Sequence, residues 1–419
     1  MMYRAAIIII AALVSTSAHA QTRYPYSEFN YDYINTDSSY LIRCGNNVYL
    51  DVFMNKLESL VFEGNTQVRI LHIGASHVQA GMWWWAVRKR LESMSPSIEG
   101  APGYLFPFGI AKTNHPYFYK STNSGNWLFQ RITDKEIKHP LGVGGISAFT
   151  SDSIAEIQIT FNDAAQIEQR RFDKLSVFHS ANDDSFDVFL LPDSLVLRKT
   201  VDRASGTTVF YLHNSSDNVN LLFQKIEESD SLMYFFGVYA ENQLPGIVYN
   251  GIGINGANTA SYQKAELFGQ QLCALEPDMV ILSIGVNDAA GKNFSESQYE
   301  ANYSRLIEMI RNQFPATAII LTTNTDFYNY GGAHNQNADA VKRAMLKNAE
   351  TTGAAVYDLH AVMGGNRSIT AWRNDGLAQK DRIHMTQEGY RILGILFAEA
   401  IQRDFENYLK RTYSPICTE

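Results

Sequence analysis

Short apolar runs separated by helical patterns occupy two parts of the chain. Their length and their content of Val, Ile and Leu are typical of buried strands; they span residues 68–73, 247–252, 279–284, 318–323 and 354–359. Apolar side chains at helical spacing predict helices at residues 299–313, 338–351 and 388–409. Strands that alternate with helices form parallel sheets covered on both faces, so the predicted fold class is α/β.

The middle of the chain, residues 112–245, has a different pattern. Short runs with apolar residues at alternating positions, such as Ile157 and Ile159, follow one another without an amphipathic helix. Turn-forming residues separate these runs. We therefore predict an all-β sandwich inserted between the first two strands of the α/β domain, which is formed by residues 21–111 and 246–419.

The N-terminus has the pattern of a secretory signal peptide, residues 1–20. Arg4 supplies a positive charge, and residues 5–14 form a short apolar core. Ala18 and Ala20 place small side chains where signal peptidase cleaves. The alternative is a membrane anchor, but the apolar run is well short of the roughly 20 residues that a spanning helix needs. We expect an exported protein, periplasmic or secreted, with no membrane span after signal cleavage.

The composition is that of a folded protein with a large core. Of the 419 residues, 45% are hydrophobic and 19% are charged, and the formal net charge is −8. Nucleic acid is not an expected partner, because the sequence contains no basic run. The length favours two folded units over one.

The three cysteines do not form a metal-binding pattern. Cys44 and Cys417 lie near the two ends of the mature chain, where an exported protein can form a disulfide, and this pairing is left open. Cys273 fits a buried helix face as a free thiol. The spacing of Cys and His residues does not match a zinc site.

Small and polar residues follow the predicted strands at the points where the strands end. Ser76 comes after the first strand, Gly256 after the second and Asn287 after the third, and Asp381 and His384 precede the last helix. Ligands of doubly wound sheets bind outside the carboxyl ends of the strands. We therefore expect these five residues to meet at one edge of the sheet.

These residue types suit acyl transfer. A serine hydroxyl becomes a nucleophile when a histidine takes its proton, and Asp381 is close enough in sequence to orient His384. The backbone N–H groups of Ser76 and Gly256 and the side-chain amide of Asn287 supply three donors for an oxyanion. Glycine leaves this approach unobstructed.

In their order and in their positions beside the strands, the four segments resemble the blocks of the SGNH, or GDSL-like, hydrolases. The resemblance covers about residues 65–103 and 246–404 and implies a flavodoxin-like three-layer fold that needs no metal or cofactor. It assigns a catalytic triad to Ser76, Asp381 and His384, and an oxyanion hole to Ser76, Gly256 and Asn287.

The inserted β region indicates which branch of the family the chain resembles. The whole chain is similar to the peptidoglycan O-acetylesterase branch of the family, in which a jelly roll like family 35 carbohydrate-binding modules lies between the first two blocks. This implies a serine esterase whose partner is an acetylated glycan, most simply O-acetylated peptidoglycan. An esterase for another polysaccharide such as xylan, an O-acetyltransferase and a non-catalytic carbohydrate-binding protein stay open. The acylated position, the ligand of the insert and the oligomeric state are not indicated.

One residue departs from the family pattern. Ala75 stands where the family usually has an aspartate that braces the turn before the nucleophile. Because the nucleophile, the base and the oxyanion donors are all present, we predict an active enzyme with altered rigidity around Ser76.

Other residues near these segments have structural interpretations. His77 is predicted to pack at the helix start, and core packing is the default for the tryptophans at 83–85. We expect Arg88 on the polar side of its helix, an exposed His334, and for Asp288 either a role in steadying the oxyanion loop or a solvated charge.

Overall fold

The computed structural model of the protein describes residues 26–27, 29–96, 98–162, 170–181, 184–226 and 231–413. Every helix and strand in these ranges lies in the compact unit that begins at Asp32. The predicted signal peptide and Cys417 lie outside the described residues. Of the helices in the described ranges, none combines the length and the hydropathy needed to cross a bilayer.

The strands are numbered in chain order. They are β1 (Leu41–Arg43), β2 (Gln67–Gly74), β3 (Gly103–Leu105), β4 (Tyr119–Ser124), β5 (Leu128–Arg131), β6 (Ile146–Thr150), β7 (Ile154–Phe161), β8 (Phe172–His179), β9 (Phe186–Leu190), β10 (Val196–Asp202), β11 (Thr207–Ser216), β12 (Asn218–Lys225), β13 (Met233–Glu241), β14 (Gly246–Gly253), β15 (Met279–Ser283), β16 (Ala318–Thr322) and β17 (Ala355–Tyr357).

The α-helices are numbered in the same way. They are α1 (Val48–Glu58), α2 (Ser76–Gln79), α3 (Met82–Glu92), α4 (Phe268–Leu275), α5 (Val286–Ala289), α6 (Glu296–Gln313), α7 (Ala338–Thr352), α8 (Leu359–Val362), α9 (Ser368–Asn374) and α10 (Gln387–Tyr413).

A six-stranded sheet forms the centre of the α/β part, in the order β1-β17-β16-β15-β2-β14. All neighbouring strands are parallel except β1, which pairs with β17 in the antiparallel direction. Every residue of β16 is buried, as expected for a strand whose two faces are both covered. The five predicted strands are present and the predicted α/β class is confirmed, although β17 is shorter than expected.

Two antiparallel sheets occupy the middle of the chain. One contains β10-β11-β8-β13-β6-β5, with β3 paired to β13, and the other contains β4-β7-β12-β9. Along β7 exposed and buried residues alternate, as in a strand with one face on a core. These sheets are compatible with the predicted inserted β domain, whose limits at 112 and 245 stay a prediction.

The chain leaves the α/β part and returns to it at adjacent points. The N–H of Glu99 donates to the carbonyl of Pro245 over 3.1 Å, and Glu99 forms a bridge with Gly246 at the start of β14. Further along, the N–H of Tyr104 donates to the side-chain oxygen of Asn250 over 2.8 Å. The two ends of the antiparallel region are therefore fixed next to the strand that follows them.

The three consecutive tryptophans of α3 are all buried. Trp84 stacks on Tyr249 of β14 with ring centroids 5.5 Å apart, and Trp85 stacks on Phe118 at 4.7 Å. Trp83 contacts His72 of the sheet with its ring centroid 5.0 Å away. Core packing is confirmed for all three, because α3 is covered on more than one side.

The prediction that Arg88 lies on a polar side of α3 is wrong. Its side chain is fully buried, its Nε donates to Oε1 of Glu92 over 2.6 Å, and its guanidinium lies over the ring of Trp85. A helix that is covered on several sides buries even its charged positions, and a buried arginine then needs an acid on the same surface.

Candidate active site

Ser76 begins α2 directly after the turn that ends β2. A Cβ on Gly74 would lie 2.7 Å from the carbonyl oxygen of Ser283 and 2.3 Å from a methyl group of Val78, so only glycine fits against β15 here. The carbonyl of Ala75 accepts the N–H of Val78 and of the following residue. These backbone contacts set where the hydroxyl of Ser76 leaves the sheet edge.

The structure brings Ser76, His384 and Asp381 into one hydrogen-bonded chain. Oγ of Ser76 lies 2.9 Å from Nε2 of His384, and Nδ1 of the same ring lies 2.7 Å from Oδ2 of Asp381. The other carboxylate oxygen accepts the backbone N–H groups of Ile383 and His384. Partial burial raises the pKa of Asp381, but these hydrogen bonds outweigh it and keep the pKa below its usual range.

Gly256 and Asn287 line the same cavity as Ser76 and His384. Gly256 has a left-handed backbone, with φ of 83°, and the nearest atom to a Cβ built on it is 3.9 Å away. The side-chain amide of Asn287 donates to the carbonyl of Ala257 over 2.8 Å, which joins α5 to the Gly256 loop. An amide nitrogen carries two protons, so a second donor is available to a ligand.

Asp288 steadies the same loop. Its carboxylate accepts the hydroxyl of Thr259 over 2.6 Å and the backbone N–H of that residue over 3.0 Å. Burial raises the pKa of Asp288 against the lowering effect of these bonds. Of the two interpretations that the sequence left open, the structure therefore favours a loop-steadying residue over a solvated charge.

Gln79 connects α2 to the loop that follows β14. Its Oε1 accepts the N–H of Asn255 over 2.7 Å, and its Nε2 lies 3.0 Å from Oγ1 of Thr113 and 3.1 Å from Oδ1 of Asn114. The side chain is buried. Sequence reasoning missed Gln79; the available signal was a polar residue one helical turn after Ser76.

His77 packs behind the catalytic face, as predicted. Its Nδ1 lies 2.9 Å from the hydroxyl of Tyr390, and its ring centroid is 5.4 Å from that of His384. Burial lowers the pKa of His77 to about 3, with a smaller contribution from the nearby His384. The ring is therefore neutral at ordinary pH.

The prediction that His334 is exposed is wrong. Its Nε2 lies 2.6 Å from Oδ1 of Asp326, and its side chain is almost completely covered. Asp326 also accepts the backbone N–H of Ile369 over 3.0 Å. The loop after β16 is thus fixed by a buried acid, which a Gly- and Asn-rich stretch does not reveal.

The cavity at this edge has a volume of about 520 Å³. The lining of this cavity contains no Asp, Glu, Lys or Arg, and it includes the exposed ring of Tyr330. A serine hydroxyl, an imidazole with a carboxylate partner and a side-chain amide around one small cavity are the groups that acyl transfer requires.

Residues 230–392 match the GDSL-like Lipase/Acylhydrolase family. This segment includes β14, β15 and the Asp381–His384 turn, so the chain carries a GDSL-like acylhydrolase domain. Over a longer stretch, the fold of this chain is similar to that of a solved peptidoglycan O-acetylesterase. The TM-score is 0.73, and the two are 22% identical over 88% of this chain and 99% of that one.

Other solved structures match a shorter part of the chain. A lipase/acylhydrolase from Enterococcus faecalis is 21% identical over 38% of this chain and 77% of that chain, with a TM-score of 0.30. An acetyl xylan esterase is 20% identical over 37% of this chain and 81% of that chain, with a TM-score of 0.31. Comparison with curated proteins gave no match.

Proposed function

We propose that the protein is an exported serine esterase that removes O-acetyl groups from O-acetylated peptidoglycan. The observation that carries the proposal is the chain of hydrogen-bonding distances from Ser76 through His384 to Asp381, at the mouth of a neutral cavity. The fold likeness to a peptidoglycan O-acetylesterase covers 88% of this chain and supports the choice of glycan. The signal-peptide pattern of residues 1–20 supports export.

In the first half of the proposed reaction, Oγ of Ser76 attacks the acetyl carbonyl carbon while Nε2 of His384 takes the hydroxyl proton. Asp381 keeps the proton on Nδ1 and stabilises the imidazolium. The backbone N–H groups of Ser76 and Gly256 and the amide of Asn287 bind the oxyanion. The C–O bond to the sugar then breaks, and the sugar oxygen leaves with the proton from His384.

In the second half, a water molecule replaces the sugar. His384 takes a proton from this water, which attacks the acetyl-Ser76 carbonyl. Collapse of the second tetrahedral intermediate returns the proton to Oγ of Ser76 and releases acetate. A transferase would use a sugar hydroxyl in place of water, and the test must therefore include a glycan acceptor.

The decisive experiment measures acetate release from O-acetylated peptidoglycan, acetylated xylan and a chromogenic acetate. We expect release from peptidoglycan with the highest kcat/KM, and a loss of about 10⁵-fold or more in kcat for Ser76→Ala. Ser297→Ala, at an exposed serine of α6, is the matched control. Ser76→Ala should retain the Tm of the wild type, because the hydroxyl supports no backbone contact.

Four outcomes would contradict the proposal. Full activity of Ser76→Ala would show that Ser76 is not the nucleophile. Faster acetate release from xylan than from peptidoglycan would make acetylated xylan the preferred substrate. Acetyl transfer to an added glycan acceptor without free acetate would make the protein a transferase, and glycan binding without any acetate release would make it a binding protein.

A further inference from the structure

One aromatic ring at the edge of the catalytic cavity is left almost fully exposed. Tyr330 lines the cavity, and at 83% it is the most exposed large hydrophobic side chain among the described residues, ahead of Phe62 and Tyr413 at 66% each. Within the described ranges, its hydroxyl group has no hydrogen-bond partner and its ring contacts no other ring. Tyrosine combines an apolar face with a polar end, so this ring offers a ligand in the cavity a surface to cover.

The ring is presented by a tight turn at the tip of a hairpin with one antiparallel bridge, residues 327–335, which we call the Tyr330 hairpin. The N–H of Asn329 donates to the carbonyl of Ala333 over 2.8 Å, and the N–H of Gly332 donates to the carbonyl of Asn329 over 2.7 Å. Gly332 has a left-handed backbone with φ of 81°, which a glycine adopts without strain. The backbone that carries Tyr330 therefore has a defined conformation.

One side of the Tyr330 hairpin is attached to the turn of the proposed triad. The N–H of Tyr328 donates to the carbonyl of Arg382 over 3.0 Å, and the guanidinium of Arg382 lies over the ring of Tyr328, 3.8 Å from its centroid. Arg382 stands between Asp381 and His384 in the chain. These contacts fix the position of the hairpin relative to the proposed catalytic base.

The other side of the Tyr330 hairpin is attached to the helix of Asn287. The side-chain amide of Asn335, which is buried, donates over 2.7 Å to the carbonyl of Ala289 at the end of α5. Just before the hairpin, Oδ1 of the buried Asp326 lies 2.6 Å from Nε2 of His334. Because both sides are attached to elements of the site, the hairpin sets where its exposed ring lies at the cavity.

The other groups around the cavity suit a carbohydrate. The lining includes the amide side chains of Asn114, Asn255 and Gln379, and it contains no Asp, Glu, Lys or Arg. Amides can donate to and accept from the hydroxyl and amide groups of a sugar. The C–H groups on one face of a pyranose ring form an apolar patch, which packs against the electron-rich face of an aromatic ring. A flat ring beside several amides therefore fits a sugar better than an alkyl chain.

We propose that Tyr330 is a stacking platform for a sugar ring of the glycan, and that it determines the preference for a carbohydrate ester over a simple ester. The inference rests on the proposed function and specifies how its substrate is held. Stacking on Tyr330 keeps the sugar in the cavity that also contains Ser76. The free energy of stacking then serves to position the acetyl ester for attack.

The first test compares Tyr330→Ala with the wild type on O-acetylated peptidoglycan and on ethyl acetate, whose leaving group has no ring. For the variant, kcat/KM on the glycan should fall about ten- to thirtyfold more than kcat/KM on ethyl acetate, mainly through KM. Tyr330→Phe keeps the ring and should hold the wild-type ratio within about twofold. The matched control is Tyr413→Ala, at an exposed tyrosine that ends α10 and does not line the cavity; it should not change the ratio.

A binding measurement that requires no turnover uses the double variant Ser76→Ala with Tyr330→Trp. Stacking of a sugar on an exposed indole changes its fluorescence, so soluble O-acetylated peptidoglycan fragments should shift the emission of this variant. Ser76→Ala alone retains the five native tryptophans and is the control, which should show no comparable shift. If Tyr330→Ala fails to fold, this titration decides.

Three results would overturn the platform and leave the esterase proposal standing. In the first, the wild type deacetylates the glycan but Tyr330→Ala keeps the wild-type ratio of glycan to ethyl acetate. In the second, the double variant shows no emission shift beyond that of Ser76→Ala. In the third, Tyr330→Ala loses more kcat/KM on ethyl butyrate than on the glycan, which would assign the ring to the acyl chain.

Failure of the proposed function would look different. If the wild type hydrolyses ethyl acetate but releases acetate from neither peptidoglycan nor xylan, the glycan esterase proposal fails and the platform fails with it. If acetylated xylan alone is a substrate, the choice of peptidoglycan is wrong, and the same comparison of Tyr330→Ala on xylan decides the platform.

Discussion

At the scale of single residues, Asp381 works on His384 through two contacts. One carboxylate oxygen faces Nδ1 of the ring, and the other accepts the backbone N–H groups that close the turn between the two residues. The low pKa of Asp381 follows from these bonds. The carboxylate therefore fixes both the ring and the backbone that carries it.

Replacing Asp381 with Asn removes the charge while keeping the size of the side chain. An amide is a poor partner for the proton on Nδ1 and for the imidazolium, so kcat on a chromogenic acetate should fall by roughly 10³-fold or more. Asp375→Asn is a control at an exposed carboxylate, which accepts only the hydroxyl of Tyr33 in the described contacts. A variant of Asp381 with more than a tenth of the wild-type kcat would contradict the assigned role.

At the scale of elements, the site depends on how α2 is tied to the loop after β14. Gln79 contributes four hydrogen-bonding contacts, and Asn255, which it binds, immediately precedes Gly256. Ala75 cannot brace this turn with a side chain. The contacts of Gln79 therefore join the helix that begins with Ser76, the proposed nucleophile, to the loop that carries Gly256, a proposed oxyanion donor.

Gln79→Met tests this connection, because methionine has a similar volume and no hydrogen bonds to offer. We expect kcat to fall about ten- to a hundredfold with KM within about twofold, since the oxyanion donors lose their position and the ester cavity keeps its shape. Adding Ala75→Asp should restore part of the lost rate. The control is Gln313→Met at an exposed position; equal losses in kcat for both variants would point to a general effect.

At the scale of the whole molecule, two buried histidines make stability depend on pH. His72 lies inside the parallel sheet, between the hydroxyl groups of Tyr249 and Ser283. Burial lowers the pKa of His72 and of His77 to about 3, against about 6.5 in an unfolded chain. Below about pH 6.5 the unfolded chain binds the extra protons, so the folded state loses stability as the pH falls.

Urea unfolding at pH 7, 6 and 5 measures this effect. The free energy of unfolding should fall by up to about 1.4 kcal/mol per pH unit for each histidine below about pH 6.5. The glutamine of His72→Gln can hydrogen-bond to both hydroxyl groups. This variant should lower the slope of unfolding free energy against pH by the contribution of roughly one proton, about 1.4 kcal/mol per pH unit. An unchanged slope in this variant would show that His72 does not titrate between the two states.

The sequence was informative where a property is local and repeated. Buried parallel strands are apolar on both faces, and their ends place Ser76, Gly256 and Asn287 at one edge by topology alone. Whether a polar side chain is buried depends instead on packing against distant parts of the chain, as for Arg88. It can also depend on a charged partner that the local sequence pattern does not indicate, as for His334. Cys273 shows the converse: its helix looked apolar, yet its thiol is exposed.

The point where the antiparallel region leaves and re-enters the α/β part also constrains how the chain can evolve. Glu99 and Pro245 are hydrogen-bonded neighbours, so the region between them has the form of a cassette that recombination could exchange. Yet Thr113 and Asn114 bind Gln79, and Phe118 stacks on Trp85. A hybrid gene that receives a foreign cassette would therefore encode a protein without these contacts to Gln79 and Trp85, unless residues 113–118 are inherited with the α/β part.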